Sequence, residues 1–415
     1  MALSGLETVF WGVVTFSILV ILHEGGHFVA ARAFGVTVHE FMIGLPGPAL
    51  RIRGRKTTYG ITAIPFGGYV RIAGMEPGEE DPLLGPALQA IAASGRMTVG
   101  ELARHLGIDA ERSSDLASVL EDWGAVVRDE VHGLTLAPGL DPETPASELL
   151  AQVRARTYRG LSTPRRVAVL SAGVVTNILA AILVFTFVLS VFGTYEPGLT
   201  VESVQPGSPA ARAGLQAKDR LVFAGGKKLS SWNEFQQTVA SSKPGDALRV
   251  VVRRGGKEVA TVVTLGEMDG HGYVGVRVQL DKVDYSLGEA LRQSFVWTGM
   301  VFVAIVGFFR PDTFPQSVEN ARSVVGISVM AADAAKAGPL DYAWLVALLS
   351  LSLGAMNLMP IPPLDGGKIA FEVLQRITGK AFGRRLTTAV TVAGAALLFS
   401  LIGYLVYADI VRLAG

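Results

Sequence analysis

Four stretches of this chain are too long and too apolar for the elements of a water-soluble domain. They run from about Val9 to Ala33, Val167 to Phe192, Tyr342 to Leu364 and Leu386 to Ile410. Each approaches the ~20 residues that a helix needs to cross a hydrocarbon core. Composition agrees: 50% of the 415 residues are apolar, 18% are charged, and mean hydropathy is +0.40. An α-helical integral membrane protein with about four transmembrane helices is therefore expected. A fifth stretch, Leu287 to Phe309, carries Glu289, Arg292 and Gln293 at its start and reads as an amphipathic helix lying in the interface. The N-terminal run has no basic flank and holds ionisable residues, so it reads as a retained helix and not as a cleaved signal.

Flanking charge sets an expected orientation. Arg154, Arg156, Arg159, Arg165 and Arg166 precede the second span, and Arg376, Lys380, Arg384 and Arg385 precede the fourth. Both ends should be cytoplasmic. The first span then enters from outside, and four spans place both termini outside.

The intervening segments divide by pattern. Residues 1–35 hold the first span. Residues 36–75 read as a membrane-associated β region, with turn glycines and alternation in RIRGRKTTYGITAIPFGGYVRI. Residues 76–145 read as helix, helix–turn–helix and a terminal hairpin, a winged-helix-like cytoplasmic insertion. Its acidic residues far outnumber Arg96, Arg104, Arg112 and Arg128, so it suits a protein partner better than a nucleic acid. The net charge of +1 likewise gives no electrostatic case for nucleic acid. Residues 146–195 are linker and second span, 196–282 a small β-rich extracytoplasmic domain, 283–340 the interfacial helix region, and 341–415 the last two spans.

The chemistry concentrates in ILHEGGHFVAA. His23 and His27 are four residues apart and project from one helical face, a spacing that suits two imidazoles on one zinc. Glu24 is placed to take a proton from an attacking water. Three ionisable side chains inside one membrane helix are expensive unless paired or metal-bound. With no cysteine in the chain, a third ligand must be His, Asp or Glu. Asp365, in NLMPIPPLDGGK, is the best candidate, and Gly366 and Gly367 permit close backbone approach. A helix-end aspartate capping the next segment is the competing reading. His39, His105, His132 and His271 read as solvated side chains, and Asp409 and Glu372 as interfacial ones.

Cutting a peptide bond inside a helix requires the helix to be unwound and held extended. An edge strand can do so by pairing with it, and Ile64 to Ile72 is the candidate. Asn357, Pro360 and Pro362 break the third span beside Asp365, which membrane depth allows where the break lines a cavity.

Taken together these residues resemble the site-2 protease family, specifically its bacterial RseP-type members. The resemblance rests on HEGGH, on FMIGLPGPALRIRGRKTTYGITAIPFGGYVRI, on AGVVTN and on NLMPIPPLDGG. It implies that His23, His27 and Asp365 bind one catalytic zinc and that Glu24 is the catalytic base. It further implies that Gly67, Gly68, Tyr69, Asn357 and Pro360 hold substrate. The implied activity is intramembrane cleavage of transmembrane segments, of anti-sigma factors or signal-peptide remnants, in a bacterial cytoplasmic membrane. Asn177 matches a second-span asparagine of structural or substrate-facing role. SPAARAGLQAKDRLVFAGGKKLSSWNEF resembles part of a PDZ domain, with Lys218 where glycine is common before Asp219. Lys368 follows LDGG where histidine is often found, and Val174 replaces a proline; neither is expected to touch a ligand. A non-catalytic membrane adaptor, binding partners through the PDZ and cytoplasmic modules, is the alternative. A metal transporter ranks last, because the polar residues cluster at one depth.

Overall fold

The computed structural model describes residues 2–64, 67–75, 80–129, 133–268, 270–308, 310–380 and 382–414. Pro65, Phe66, His132 and the first acidic residues of the insertion, Glu76 and Glu79, lie outside the described residues. Two compact units are formed: 1–186 with 291–415, and 187–290.

The first unit begins with α1 (Ala2–Ala33), the HExxH helix. It stops at Gly35, whose φ of 78° suits a residue without a Cβ. Four strands follow: β1 (Val38–Ile43), β2 (Ala49–Arg53), β3 (Thr58–Thr62) and β4 (Gly68–Ile72), in sheet order β2-β3-β1-β4. β1 lies parallel to β3 and antiparallel to β4. Among the described residues β4 therefore has a neighbour on one side only, as the expected edge strand requires.

The insertion builds α2 (Leu84–Ser94), β5 (Met97–Thr98), α3 (Val99–Leu106), α4 (Ala110–Asp122), β6 (Val126–Arg128) and β7 (Gly133–Leu136), then α5 (Ala146–Arg154). Its strands order β5-β7-β6. Thr98 and Glu101 form a capping box that starts α3. Leu88, Ile91, Leu102, Leu116, Leu120 and Leu134 fill a core of its own. The insertion docks through Asp122: Gly74 N donates to its Oδ2 at 2.7 Å, and His39 Nε2 donates to its carbonyl at 2.7 Å. This corrects the expectation for His39, which is held by a partner and not simply solvated. His105 and His271 are exposed as expected.

After α6 (Thr163–Phe192), the second span, comes the second unit. It holds β8 (Thr194–Val204), α7 (Pro209–Arg212), β9 (Arg220–Ala224), β10 (Lys227–Lys228), α8 (Trp232–Ala240), β11 (Ala247–Arg254) and β12 (Lys257–Thr264). β13 (Gly266–Met268), β14 (His271–Tyr273) and β15 (Val276–Val283) complete it. The main sheet runs β12-β11-β9-β8-β15, with β10 on β9. Val201, Leu221, Phe235, Val250, Val252 and Val263 form its core. Lys218 stands at φ 70°, in the left-handed region, so the sequence departure noted there falls where glycine would be unstrained. A groove of about 330 Å³ lies between α8 and residues 272–276, floored by Trp232, Phe235 and Val239.

The chain returns with α9 (Leu287–Gly307), α10 (Phe314–Asn320), α11 (Val324–Ala337), α12 (Pro339–Asn357), α13 (Asp365–Thr378) and α14 (Arg384–Ala414). Among the described residues, five helices are long and apolar enough to cross a membrane: α1, α6, α9, α12 and α14. α9, expected to lie in the interface, is thus also long and apolar enough to cross. Its outward residues Leu291, Phe295, Met300, Val303 and Val306 are exposed and apolar, whereas its polar Ser294 and Thr298 face inward. Ser294 Oγ lies 3.1 Å from Thr186 Oγ1, and Trp297 packs edge-on to Phe185 and Trp344 at 5.7 and 4.8 Å. Sequence showed the charges in the first turn but not which side the small polar residues would take. Asp409, expected at the interface, is 3% exposed and accepts from Ser323 N at 2.6 Å. The third span ends earlier than expected, at Asn357, because the prolines at 360, 362 and 363 cannot continue a helix. Asp365 therefore opens a new helix.

Candidate active site and metal centre

α1 crosses α6 at close range because Gly26 has no side chain; a Cβ there would run into Ala172 O and Thr176 Oγ1. The crossing sets His23 and His27 directly on Gly173 of α6. A Cβ on Gly173 would lie 2.5 Å from His27 Nε2 and 2.9 Å from His23 Nδ1. From the far end of the chain α13 brings Asp365, whose Oδ2 lies 3.0 Å from Nε2 of both histidines. The two Nε2 atoms are 3.4 Å apart. All three side chains are buried, at 8%, 5% and 6% exposure, and their ligand atoms lie within 4.8 Å of one another.

The donor arithmetic at this site points to a cation. His27 Nδ1 donates to Val169 O at 2.8 Å. A neutral His27 then turns a lone pair, not a proton, towards the Asp365 carboxylate. A lone pair and an anionic oxygen at 3.0 Å need positive charge between them. Two imidazoles and one carboxylate are a donor set that suits zinc with one position left open. Asp365 bonds to the histidines and Lys368, and Leu364 at the N-cap position makes no side-chain cap. Capping is therefore not its use here. Gly366 and Gly367 allow the approach expected of them: a Cβ on either would overlap backbone of the 358–362 turn.

One expectation fails. Lys368 does touch a candidate ligand, with Nζ 3.2 Å from Asp365 Oδ1. One turn of helix separates them, and the lysine stem is long enough to reach back. Lys368 also lines a cavity of about 340 Å³ with Tyr158, Arg159, Arg166 and Glu372.

Glu24 lies half-buried beside the start of β4. A Cβ on Gly68 would overlap Val20 Cγ1 and stand 3.8 Å from Glu24 Cγ. Gly67 precedes it at φ 99°. Tyr69, next along the strand, donates its hydroxyl to Glu40 at 3.1 Å. Asn357 ends α12 and gives its Nδ2 to Leu353 O at 3.0 Å, so its amide bonds within its own helix and not to the three ligand candidates. Pro360 is exposed in the turn that leads to Asp365.

Sequence reasoning missed Gly173 and the Val169 carbonyl. Val169, Gly173 and Asn177 are spaced by four and share one face of α6. Gly173 and Asn177, a small and a polar residue one turn apart in a largely apolar helix, were the available signal.

Comparison with known proteins now decides the family. Residues 11–401 match peptidase family M50. The chain belongs to that family. This M50 peptidase is 27% identical to a putative zinc metalloprotease of Lactococcus lactis, over 98% of this chain and 99% of the relative. It is 27% identical to zinc metalloprotease RasP of Oceanobacillus iheyensis over 98% and 100%, and 28% identical to probable protease eep of Enterococcus faecalis over 98% and 99%. Part of it is 29% identical to the PDZ domain of an SdrC-like protein from Listeria monocytogenes, covering 20% of this chain and 90% of that one, with a TM-score of 0.19. The M50 peptidase is a zinc metalloprotease with several candidate membrane helices.

Proposed function

We propose that this zinc metalloprotease cuts transmembrane segments of other membrane proteins within the bilayer, with His23, His27 and Asp365 holding one zinc and Glu24 acting as base. One observation supports this above the others: His23, His27 and Asp365 meet as three buried ligand candidates while Glu24, on the helix of the two histidines, stands beside Gly68 of the edge strand β4. Zinc, when bound, polarises the scissile carbonyl and makes the neighbouring water more acidic.

The chain's own residues do the rest. β4, from Gly67 and Gly68 through Tyr69, offers unpaired backbone groups that take an unwound substrate as a further strand and hold it extended beside Glu24. Glu24 accepts the proton of the attacking water and returns it to the leaving amine. Asn357 and Pro360 border the break in the third span through which the substrate is held. Water reaches the base from the cytoplasmic side, where the basic flanks place that end of α1.

The second unit is read as an extracytoplasmic PDZ domain whose groove on α8 receives an apolar chain end or limits substrate size. The insertion is a winged-helix-like cytoplasmic module for a protein partner; its acidic surface disfavours nucleic acid. Substrates are anti-sigma factors or signal-peptide remnants in a bacterial cytoplasmic membrane.

Cleavage of a single-span reporter in detergent, wild type against Glu24→Gln, tests the reading. Site-specific products from wild type alone, with both proteins holding equal zinc, are expected. Equal cleavage by both would remove Glu24 from the chemistry, and zinc without cleavage across several reporters would favour the adaptor.

A further inference from the structure

We infer that Asn177 is a positioning residue for the metal centre, accepting the Nδ1–H of His23 through its Oδ1 so that the Nε2 lone pair of His23 faces the zinc. The inference rests on the zinc reading above and adds a residue to it.

Asn177 is fully buried in α6, one turn beyond Gly173, and its side-chain amide stands 3.4 Å from His23 Nδ1. Among the described residues its Oδ1 is the only buried side-chain nitrogen or oxygen without a hydrogen-bond partner. An asparagine amide has nearly the same shape with oxygen and nitrogen exchanged, so its orientation is set by its neighbours. With the NH₂ group towards His23, the imidazole must offer a lone pair at Nδ1 and carry its proton on Nε2. That proton would point into the space shared with Asp365 Oδ2 and His27 Nε2, and the ring could not ligate. With the oxygen towards His23, the unpartnered acceptor gains a donor and Nε2 is released.

The neighbouring ring already uses this device. His27 Nδ1 donates to Val169 O, one turn before Gly173, at 2.8 Å. α6 therefore addresses both imidazoles from behind, with an acceptor one turn to either side of the glycine on which they rest. Ligating histidines commonly give their other ring N–H to such an acceptor, which fixes the tautomer and the ring plane. The backbone that carries this amide is held from a third helix. Ser350 Oγ of α12 donates to the Asn177 main-chain carbonyl at 3.0 Å, and Gly354 packs against the Asn177 Cβ. α12 is the helix whose end leads to Asp365, so one element steadies both the acceptor for His23 and the approach of the third ligand candidate.

The test is zinc affinity of the purified full-length protein, measured by competition with a fluorescent chelator and needing no substrate. Asn177→Leu keeps the size and removes the acceptor; zinc should bind 10–100-fold more weakly. Asn177→Asp keeps an acceptor and should retain affinity of the wild-type order, a rescue that a packing role would not give. Thermal midpoints of the zinc-free proteins, taken alongside, separate loss of the acceptor from loss of the fold. Wild-type affinity in Asn177→Leu overturns the role, as does an Asn177→Asp protein as weak as the leucine variant. Failure of wild type to take up zinc at all overturns the metal site and this role together, whereas uptake by wild type with either variant result above overturns the role alone.

Discussion

Gly173→Ala offers a single-methyl probe of how the metal centre is built. The new Cβ would stand 2.5 Å from His27 Nε2, 2.8 Å from His23 Cε1 and 2.9 Å from His23 Nδ1, where ordinary van der Waals contact begins near 3.4 Å. The deficit at His27 is about 0.9 Å, and relaxation can take only two forms. If the imidazoles turn aside, a donor leaves a site that tolerates about 0.2 Å of error in ligand distance. If α6 backs away from α1, the close crossing at Gly26 is lost, at about 1–3 kcal/mol by analogy with overpacked cores. Either route should weaken zinc at least ~100-fold, near 2.7 kcal/mol, and abolish proteolysis. The assay is zinc content and chelator competition on protein purified in detergent, with Gly25→Ala as control. Gly25 lies in the same motif but has nothing within 4 Å of its added Cβ, so that variant should hold zinc as wild type does. A Gly173→Ala protein with one equivalent of zinc at wild-type affinity would show that the imidazoles do not rest on Gly173.

Other outcomes are equally specific. Lys218→Gly should stabilise the second unit by about 0.5–1 kcal/mol, since left-handed geometry costs a non-glycine residue about 1–2 kcal/mol and glycine returns part of that as unfolded-state entropy; chemical denaturation of both proteins measures it, and no gain refutes the strain. His39 titrates above the ordinary histidine range because its hydrogen bond to Asp122 outweighs burial, and Asp122 is pushed up by burial but held below the ordinary range by His39 and Gly74. The histidine contribution is present below about pH 6.5 and lost as pH rises through its raised value; the aspartate contribution is present above about pH 3.9 and lost on acidification. Docking of the insertion should thus be tightest between about pH 4 and 6.5, and hydrogen exchange at residues 122–128 should speed up at alkaline pH beyond the intrinsic rate; equal protection at pH 6 and 9 would sink this. Single cysteines at Phe295 and Val303 on α9 should resist a water-soluble thiol reagent in intact membranes, while rapid labelling at both would restore an interfacial helix.

Much of the site was legible because its parts are local. The spacing of His23, Glu24 and His27 is one turn of helix, and Asp365 stood out as an acid between prolines and glycines next to an apolar run. The edge strand was legible from alternation in the 58–72 region. Less visible was everything that depends on which helix faces which. Gly173 became part of the site only when α6 was laid across α1 at Gly26, a pairing that no local pattern encodes. Lys368 was set aside because its identity was compared with a motif, whereas its reach depends on the helix opening at Asp365. α9 shows the same limit, since composition reported its charges and not that Ser294 and Thr298 would turn inward. His39 looked like a loop histidine until Asp122 arrived from the end of α4.

The meeting of His23 with Asp365 also has a thermodynamic side. These residues are 342 positions apart in the chain, and the sequence has no cysteine with which to fasten distant segments. A zinc ion shared by α1 and α13, as proposed, would act as a removable cross-link, bound by the folded chain and hardly by the unfolded one. At free zinc a hundredfold above its dissociation constant, such a clasp adds about 2.7 kcal/mol to the folded state. Chelation would then do more than stop catalysis, because it would remove one tie between α1 and α13. The enzyme's lifetime in a metal-starved membrane should follow zinc supply as closely as its activity does.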